Sequence, residues 1–149
     1  MRIAIGADHA GFELKEELKK IIADSGHSVL DLGTDSTDSV DYPDYSAAIG
    51  RAILAGRADR GIVVCGSGAG AAIAANKLDG IRCAQASDTY TAHQAVEHDD
   101  INVLALAARV TGGAVAEEIV QAYLGAEFIP KERYIRRLNK VLELERQRS

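Results

Sequence analysis

The chain has 149 residues and a mass of 15.8 kDa, the size of one domain that buries about two-thirds of its unfolded surface in one core. Its 47% hydrophobic and 26% charged content, with two prolines, excludes disordered and collagen-like chains. A formal net charge of -5 and a pI of about 5.3 argue against a bulk electrostatic grip on nucleic acid or an anionic membrane, so an anionic ligand needs a local basic site.

Short apolar, β-rich runs alternate with longer segments of helical period, the pattern of a parallel sheet covered on both faces by helices. Residues 2–7 enter the first strand at once, with no basic stretch and long apolar run before a small-residue cleavage site, so no export signal is expected. In the helix that follows, Leu14, Leu18, Ile21 and Ile22 share a stripe, Glu16 and Lys20 form an outward pair, and Gly26 marks the end. A strand over 28–32, a helix over 44–56 and a strand over 60–65 come next, and a third helix starts inside GSGAGAAIAANK. A strand over 80–86, a helix over 88–98 and a strand over 102–107 precede a helix after Gly113. The last segment puts Ile135, Leu138 and Leu142 on one face of an amphipathic helix, packed on its own domain or clasping a second subunit. No run reaches eighteen consecutive apolar residues, so no membrane span is expected. Cys65 and Cys83 lie inside apolar segments with no metal spacing, which predicts a reducing, cytoplasmic setting.

The segment GIVVCGSGAGAAIAANK reads as buried strand, glycine turn and helix, a geometry that aims backbone N–H groups at an oxyanion or phosphate. Gly66, Gly68 and Ala71 also satisfy a loose dinucleotide fingerprint, with Asp88 near the expected distance for a ribose contact. That fingerprint normally follows the first strand, whereas this loop follows the third, and a dinucleotide domain would leave little chain for a substrate domain. A non-catalytic nucleotide-binding module nevertheless remains the rival reading. Cys65 ends its strand at the carboxyl edge of the sheet, where open α/β proteins bind ligands and a thiol near a helix start can serve as base or nucleophile. Taken alone, a cysteine in a buried strand is more often inert, and Cys83 receives that reading.

Asp8 and His9 leave the first strand at the same edge, VDYPDYS brings Tyr42 toward it, and Arg109 follows the fifth strand there. Each also has a plain structural reading: a helix-start acid, a loop histidine, a packed tyrosine, a solvated arginine. His98 falls between the fourth helix and fifth strand, at the opposite edge, so it reaches Cys65 only if a neighbouring chain completes the site. Arg133 and Arg137 share a helical face that could grip a phosphate or simply face solvent.

With these residues in order, the chain closely resembles the ribose 5-phosphate isomerase B family, which also contains galactose 6-phosphate isomerase subunits and allose 6-phosphate isomerases. The resemblance spans nearly all 149 residues and rests on GADHAGFELK, VDYPDYS, GIVVCGSGAGAAIAANKLDGIR, EHDDINVLALAARV and the Arg133 and Arg137 pair. It implies a single domain with a three-layer α/β/α Rossmann-like sandwich, a five-stranded parallel sheet and a C-terminal helix. It further implies an aldose–ketose isomerase that needs no metal or cofactor, acting on ribose 5-phosphate and ribulose 5-phosphate, as a homodimer or a dimer of dimers with active sites shared between subunits. Cys65 matches the family's proton-abstracting base and His98 its ring-opening acid. Asp8 and His9 match substrate-binding positions, Tyr42 within VDYPDYS is a further substrate-binding candidate from its place near the rim, and Gly66, Ser67, Gly68, Ala69 and Gly70 match the enediolate anion hole. Arg109, Arg133 and Arg137 match phosphate-site arginines. Ser67 replaces the family's usual threonine and keeps its hydroxyl. Asp99 replaces the usual asparagine and sets a carboxylate near a dianionic sugar phosphate, which leaves six-carbon and four-carbon substrates open.

Overall fold

The apolar runs become one parallel sheet in the computed structural model, which describes residues 1–148. Strands β1 (Arg2–Ala7), β2 (Ser28–Asp31), β3 (Arg60–Cys65), β4 (Cys83–Gln85) and β5 (Val103–Ala107) lie in the order β2-β1-β3-β5-β4. Six helices connect and flank them: α1 (Phe12–Asp24), α2 (Tyr42–Leu54), α3 (Ala69–Ala75), α4 (Thr89–Asp99), α5 (Gly113–Gly125) and α6 (Glu132–Arg148). One face of the sheet buries Ile5, Ile62 and Leu104 against Leu18 of α1, Val96 of α4 and Ile119 of α5. The other buries Ala4, Val63 and Ala105 against Ile49 of α2 and Ala71 of α3. The three-layer α/β/α sandwich expected from the sequence is therefore the observed one, because strands covered on both faces are apolar throughout.

The topology creates a crevice. After β1 the chain passes through α1 on one face to β2, whereas after the adjacent β3 it passes through α3 on the other face to β4. The two connections diverge, so the carboxyl ends of β1 and β3 flank the point where ligands lodge in open α/β sheets. Gly11 makes their close approach possible: a methyl there would stand 2.2 Å from the Val64 carbonyl oxygen.

Three expectations need correction. The fourth strand spans three residues instead of 80–86, because the Asn102 side chain takes the backbone of 80–82 out of the ladder. Its Oδ1 accepts from the Arg82 N–H at 2.8 Å and its Nδ2 donates to the Gly80 carbonyl at 2.9 Å. The second helix starts at Tyr42 rather than 44, with Asp41 extended at its N-cap and Pro43 supplying a helical φ in the first turn. Glu16 pairs not with Lys20 but with Lys15 and Lys19, at 3.1 and 2.8 Å.

The last correction has an energetic cause. The Lys15 side chain is fully buried, and its Nζ lies 2.7 Å from Asp31 Oδ1 on β2, while Lys19 reaches Asp31 Oδ2 at 2.7 Å. Asp31 thus draws both lysines toward the sheet edge, and Glu16 closes the cluster. Burial pushes the Asp31 carboxyl up, but hydrogen bonds from Lys15 and Lys19 outweigh it and hold its pKa below the usual range. Replacing Asp31 with alanine leaves the buried ammonium with Glu16 and the face of Phe12, an expected loss of about 2 kcal/mol after allowance for partial exposure. Urea denaturation at neutral pH should record it. A lowered folded pKa means that the wild-type advantage is present above the unfolded carboxylate pKa, about 3.9, and fades as pH falls through the folded value.

Candidate active site

Asp8 and His9 leave β1 in a tight turn before α1. Asp8 is 8% exposed, and its Oδ1 accepts the N–H groups of Ala10 and Gly11 at 3.0 and 3.1 Å, so one carboxylate oxygen caps the turn. His9 Nδ1 accepts from the Val40 N–H at 3.2 Å. The bond requires an unprotonated Nδ1, which leaves Nε2 to carry the proton of the neutral ring. It also ties the 32–41 connection to the rim just before Tyr42 opens α2.

Cys65 closes β3 and is 4% exposed; its Sγ accepts the Gly68 N–H at 3.1 Å. This bond folds residues 65–68 back on themselves before α3 begins. Ser67 is exposed, and its Oγ accepts from the Ala69 N–H at 3.3 Å. The rest of the rim closes around the loop. The Arg109 N–H donates to the Gly66 carbonyl at 3.0 Å, and a methyl at Gly66 would stand 3.5 Å from Arg109 Cδ and Nη1. A methyl at Gly70 would stand 2.7 Å from Tyr42 Cζ, so Tyr42 lies across that glycine. Asp8, His9, Tyr42, Cys65, the loop of Gly66, Ser67, Gly68, Ala69 and Gly70, and Arg109 therefore share one edge.

Gly68 holds the turn in the left-handed region, with φ at +80°, and a methyl there would stand 2.9 Å from Gln85 Cγ and 3.2 Å from the Leu106 carbonyl. Both conformation and space demand glycine. Gly68→Ala is expected to cost about 2 kcal/mol of stability and to shift the N–H off the Cys65 sulfur. Thermal denaturation together with the iodoacetamide reaction rate of Cys65 would record both changes.

His98, Asp99, Arg133 and Arg137 gather elsewhere. His98 lies in the last turn of α4 with its ring stacked on the buried Tyr134 at 4.0 Å between centroids and 21° between planes. Arg133 also lies over the Tyr134 ring, its Cζ 4.8 Å from the ring centroid, and its Nη2 donates to the tyrosine oxygen at 3.0 Å. Arg137 is exposed one helical turn further along α6. Asp99 is also exposed, and its carbonyl accepts from Arg82 Nε at 3.3 Å. In the parallel register Cys65 faces Ala107, whereas α4 enters β5 ahead of Val103. Four residues of strand, at about 3.3 Å each, put roughly 13 Å of sheet between the two groups.

α6 is tied to its own domain. Arg148 pairs with Asp79 at 2.7 Å, Glu145 accepts from the Gly80 N–H, and Tyr134 packs on α4. A groove of about 520 Å3 remains between α6 and the body, lined by Ile81, Cys83, Ile101, Leu138, Val141 and Leu144. Burial pushes the Cys83 thiol up to about 12, so it stays protonated, in keeping with an inert core cysteine. Asp88, the candidate ribose contact of the dinucleotide reading, is spent as the α4 N-cap: it accepts from Thr91 N at 2.6 Å and from Thr91 Oγ1 at 2.8 Å. Among the described residues, no helix is long and apolar enough to cross a membrane.

The sequence model of the Ribose/Galactose Isomerase family matches residues 3–141. The chain belongs to that family. It is 40% identical over 148 residues to Ribose-5-phosphate isomerase B of Escherichia coli, with 99% of both chains covered. It is 43% identical over 129 residues to D-erythrulose-4-phosphate isomerase of Pectobacterium atrosepticum, covering 86% of this chain and 85% of that one. Ribose-5-Phosphate Isomerase B of Clostridium thermocellum superposes with a TM-score of 0.97 at 44% identity, with both chains covered in full.

For a member of the ribose/galactose isomerase family, two structural partners escaped the sequence reading. Tyr134, which carries His98 on its ring, lies between Arg133 and Ile135, and only its being the lone aromatic of α6 sets it apart. Gln85 lies beneath Gly68 from a different strand, a relation that no local pattern carries.

Proposed function

We propose that the chain interconverts ribose 5-phosphate and ribulose 5-phosphate through a cis-enediolate, with Cys65 moving the proton. The observation that supports this reading is the Cys65 sulfur at the carboxyl edge of β3, already an acceptor for the Gly68 N–H, on the same sheet edge as Asp8, His9, Tyr42 and Arg109. Isomerisation needs the C2 proton of the open aldose taken and returned to C1 while the hydroxyl proton passes from O2 to O1 of the enediolate, so one base with short reach suffices for the carbon transfers. Cys65 performs both transfers. The enediolate oxygens develop negative charge, which the N–H groups of the 66–70 loop and the Ser67 hydroxyl stabilise without rearrangement. Asp8 and His9 bind sugar hydroxyls. Arg109, Arg133 and Arg137 hold the phosphate through forked donors.

His98 acts as the ring-opening acid. It donates a proton to the ring oxygen of the furanose as the C1 hydroxyl releases its own to solvent, leaving the C1 carbonyl. Roughly 13 Å of sheet separates it from Cys65 within one chain, so the active form is a homodimer in which each site combines Cys65 of one copy with His98, Arg133 and Arg137 of the other. Asp99 lines the same composite site.

A four-carbon substrate is the second reading, favoured by the 43% identity to an erythrulose phosphate isomerase. An isomerisation assay across four-, five- and six-carbon aldose phosphates tests both. Preference for ribose 5-phosphate in kcat/KM supports the first; preference for the tetrose phosphate supports the second.

A further inference from the structure

We infer that Arg82 is a positioning residue for His98, fixing the ring-opening acid by clamping the end of α4; the inference rests on the proposed role of His98. Arg82 stands just before β4, and its side chain is 20% exposed. It crosses to the end of α4, where its Nε donates to the carbonyls of Asp99 and Asp100 at 3.3 and 2.9 Å. Nη2 donates to the Asp100 carbonyl at 2.6 Å and to Asp100 Oδ2 at 3.0 Å.

These acceptors are the groups a helix end leaves without intrahelical partners, and a cation beside them also meets the negative end of the helix dipole. Asp100 adopts the left-handed conformation, φ 49°, which aspartate visits more readily than most residues but less freely than glycine. The clamp holds that conformation. Backbone bonds complete it: the Asn102 and Val103 N–H groups both donate to the Arg82 carbonyl, at 3.0 and 3.2 Å. His98 is one residue from the first clamped carbonyl, and its ring is stacked on Tyr134 of α6. The imidazole is thus located by one contact at its ring and one at its backbone. Lysine cannot span two successive carbonyls and a carboxylate as the guanidinium does.

The test separates ring opening from proton transfer. Ribose 5-phosphate is mostly cyclic, whereas ribulose 5-phosphate is acyclic because its 5-hydroxyl carries the phosphate. Ribose 5-phosphate turnover therefore needs the ring-opening acid, and exchange of the ribulose 5-phosphate C1 proton with D2O does not. Arg82→Met is expected to lower kcat/KM for ribose 5-phosphate by about 30-fold, as a misplaced catalytic group does, while exchange stays within about threefold of wild type. Arg82→Lys, which keeps the charge and part of the bonding, should fall between. Turnover by Arg82→Met within threefold of wild type would overturn the inference, as would a parallel fall in turnover and exchange in both variants, the mark of a merely structural residue. His98→Asn serves as the reference. If it lowers turnover and exchange equally, the ring-opening role itself fails; if it splits them and Arg82→Met does not, only the role of Arg82 fails.

Discussion

Replacing Cys65 with alanine is expected to lower kcat for ribose 5-phosphate by roughly a thousandfold or more while sugar phosphate affinity stays within a few-fold. The asymmetry follows from what the sulfur touches. Its one hydrogen bond is to Gly68 N, and the proposed binding groups, Asp8, His9 and Arg109, are held by the Ala10 and Gly11 amides, the Val40 amide and the Gly66 carbonyl. None of these contacts involves Cys65. Alanine therefore removes the proton acceptor without dismantling the rim, and the small side chain fits a position already buried among Val63, Ala71 and Ala105. Isothermal titration with the substrate and a coupled ketose assay give the two numbers. A large loss of affinity with unchanged kcat would mark Cys65 as a binding residue.

Mixing inactive Cys65→Ala and His98→Ala chains is expected to restore roughly a quarter of wild-type activity after subunit exchange, since half the dimers are mixed and each has one intact site. The expectation comes from the parallel register. Cys65 faces Ala107 at the carboxyl end of β5, and α4 delivers His98 ahead of Val103 at the other end. No side-chain rotation spans that length of sheet. In the proposed homodimer a two-fold axis would bring the Cys65 patch of each copy to the His98 patch of the other, once for each site. Native mass spectrometry would count the mixed dimers, and activity proportional to their number is the expected result. Mixed dimers without activity would place both groups of one site in a single chain.

The sequence located this rim because strand ends are its most legible feature. Residues 2–7 and 60–65 were delimited correctly by their apolar runs and by the glycines that follow, and the ends of those two strands set Asp8, His9 and Cys65 on the switch point. The separation of His98 from Cys65 was equally legible, since it depends only on strands being parallel. What the sequence hid were relations between segments. The Arg82 side chain holds the end of α4, and the Asn102 side chain replaces ladder bonds that the pattern over 80–86 suggested. The partner of Glu16 is decided by Asp31, a strand residue fifteen positions away that also draws Lys15 into the interior. Neither relation leaves a periodic trace, because each depends on one polar side chain meeting another element's backbone or charge.

Proton exchange in D2O tests the central claim most directly. With ribose 5-phosphate as substrate, the wild-type chain is expected to yield ribulose 5-phosphate bearing deuterium at C1, detected by proton NMR, and Cys65→Ala is expected to yield none on the same timescale. Ketose formation by Cys65→Ala at the wild-type rate, with or without label, would contradict it.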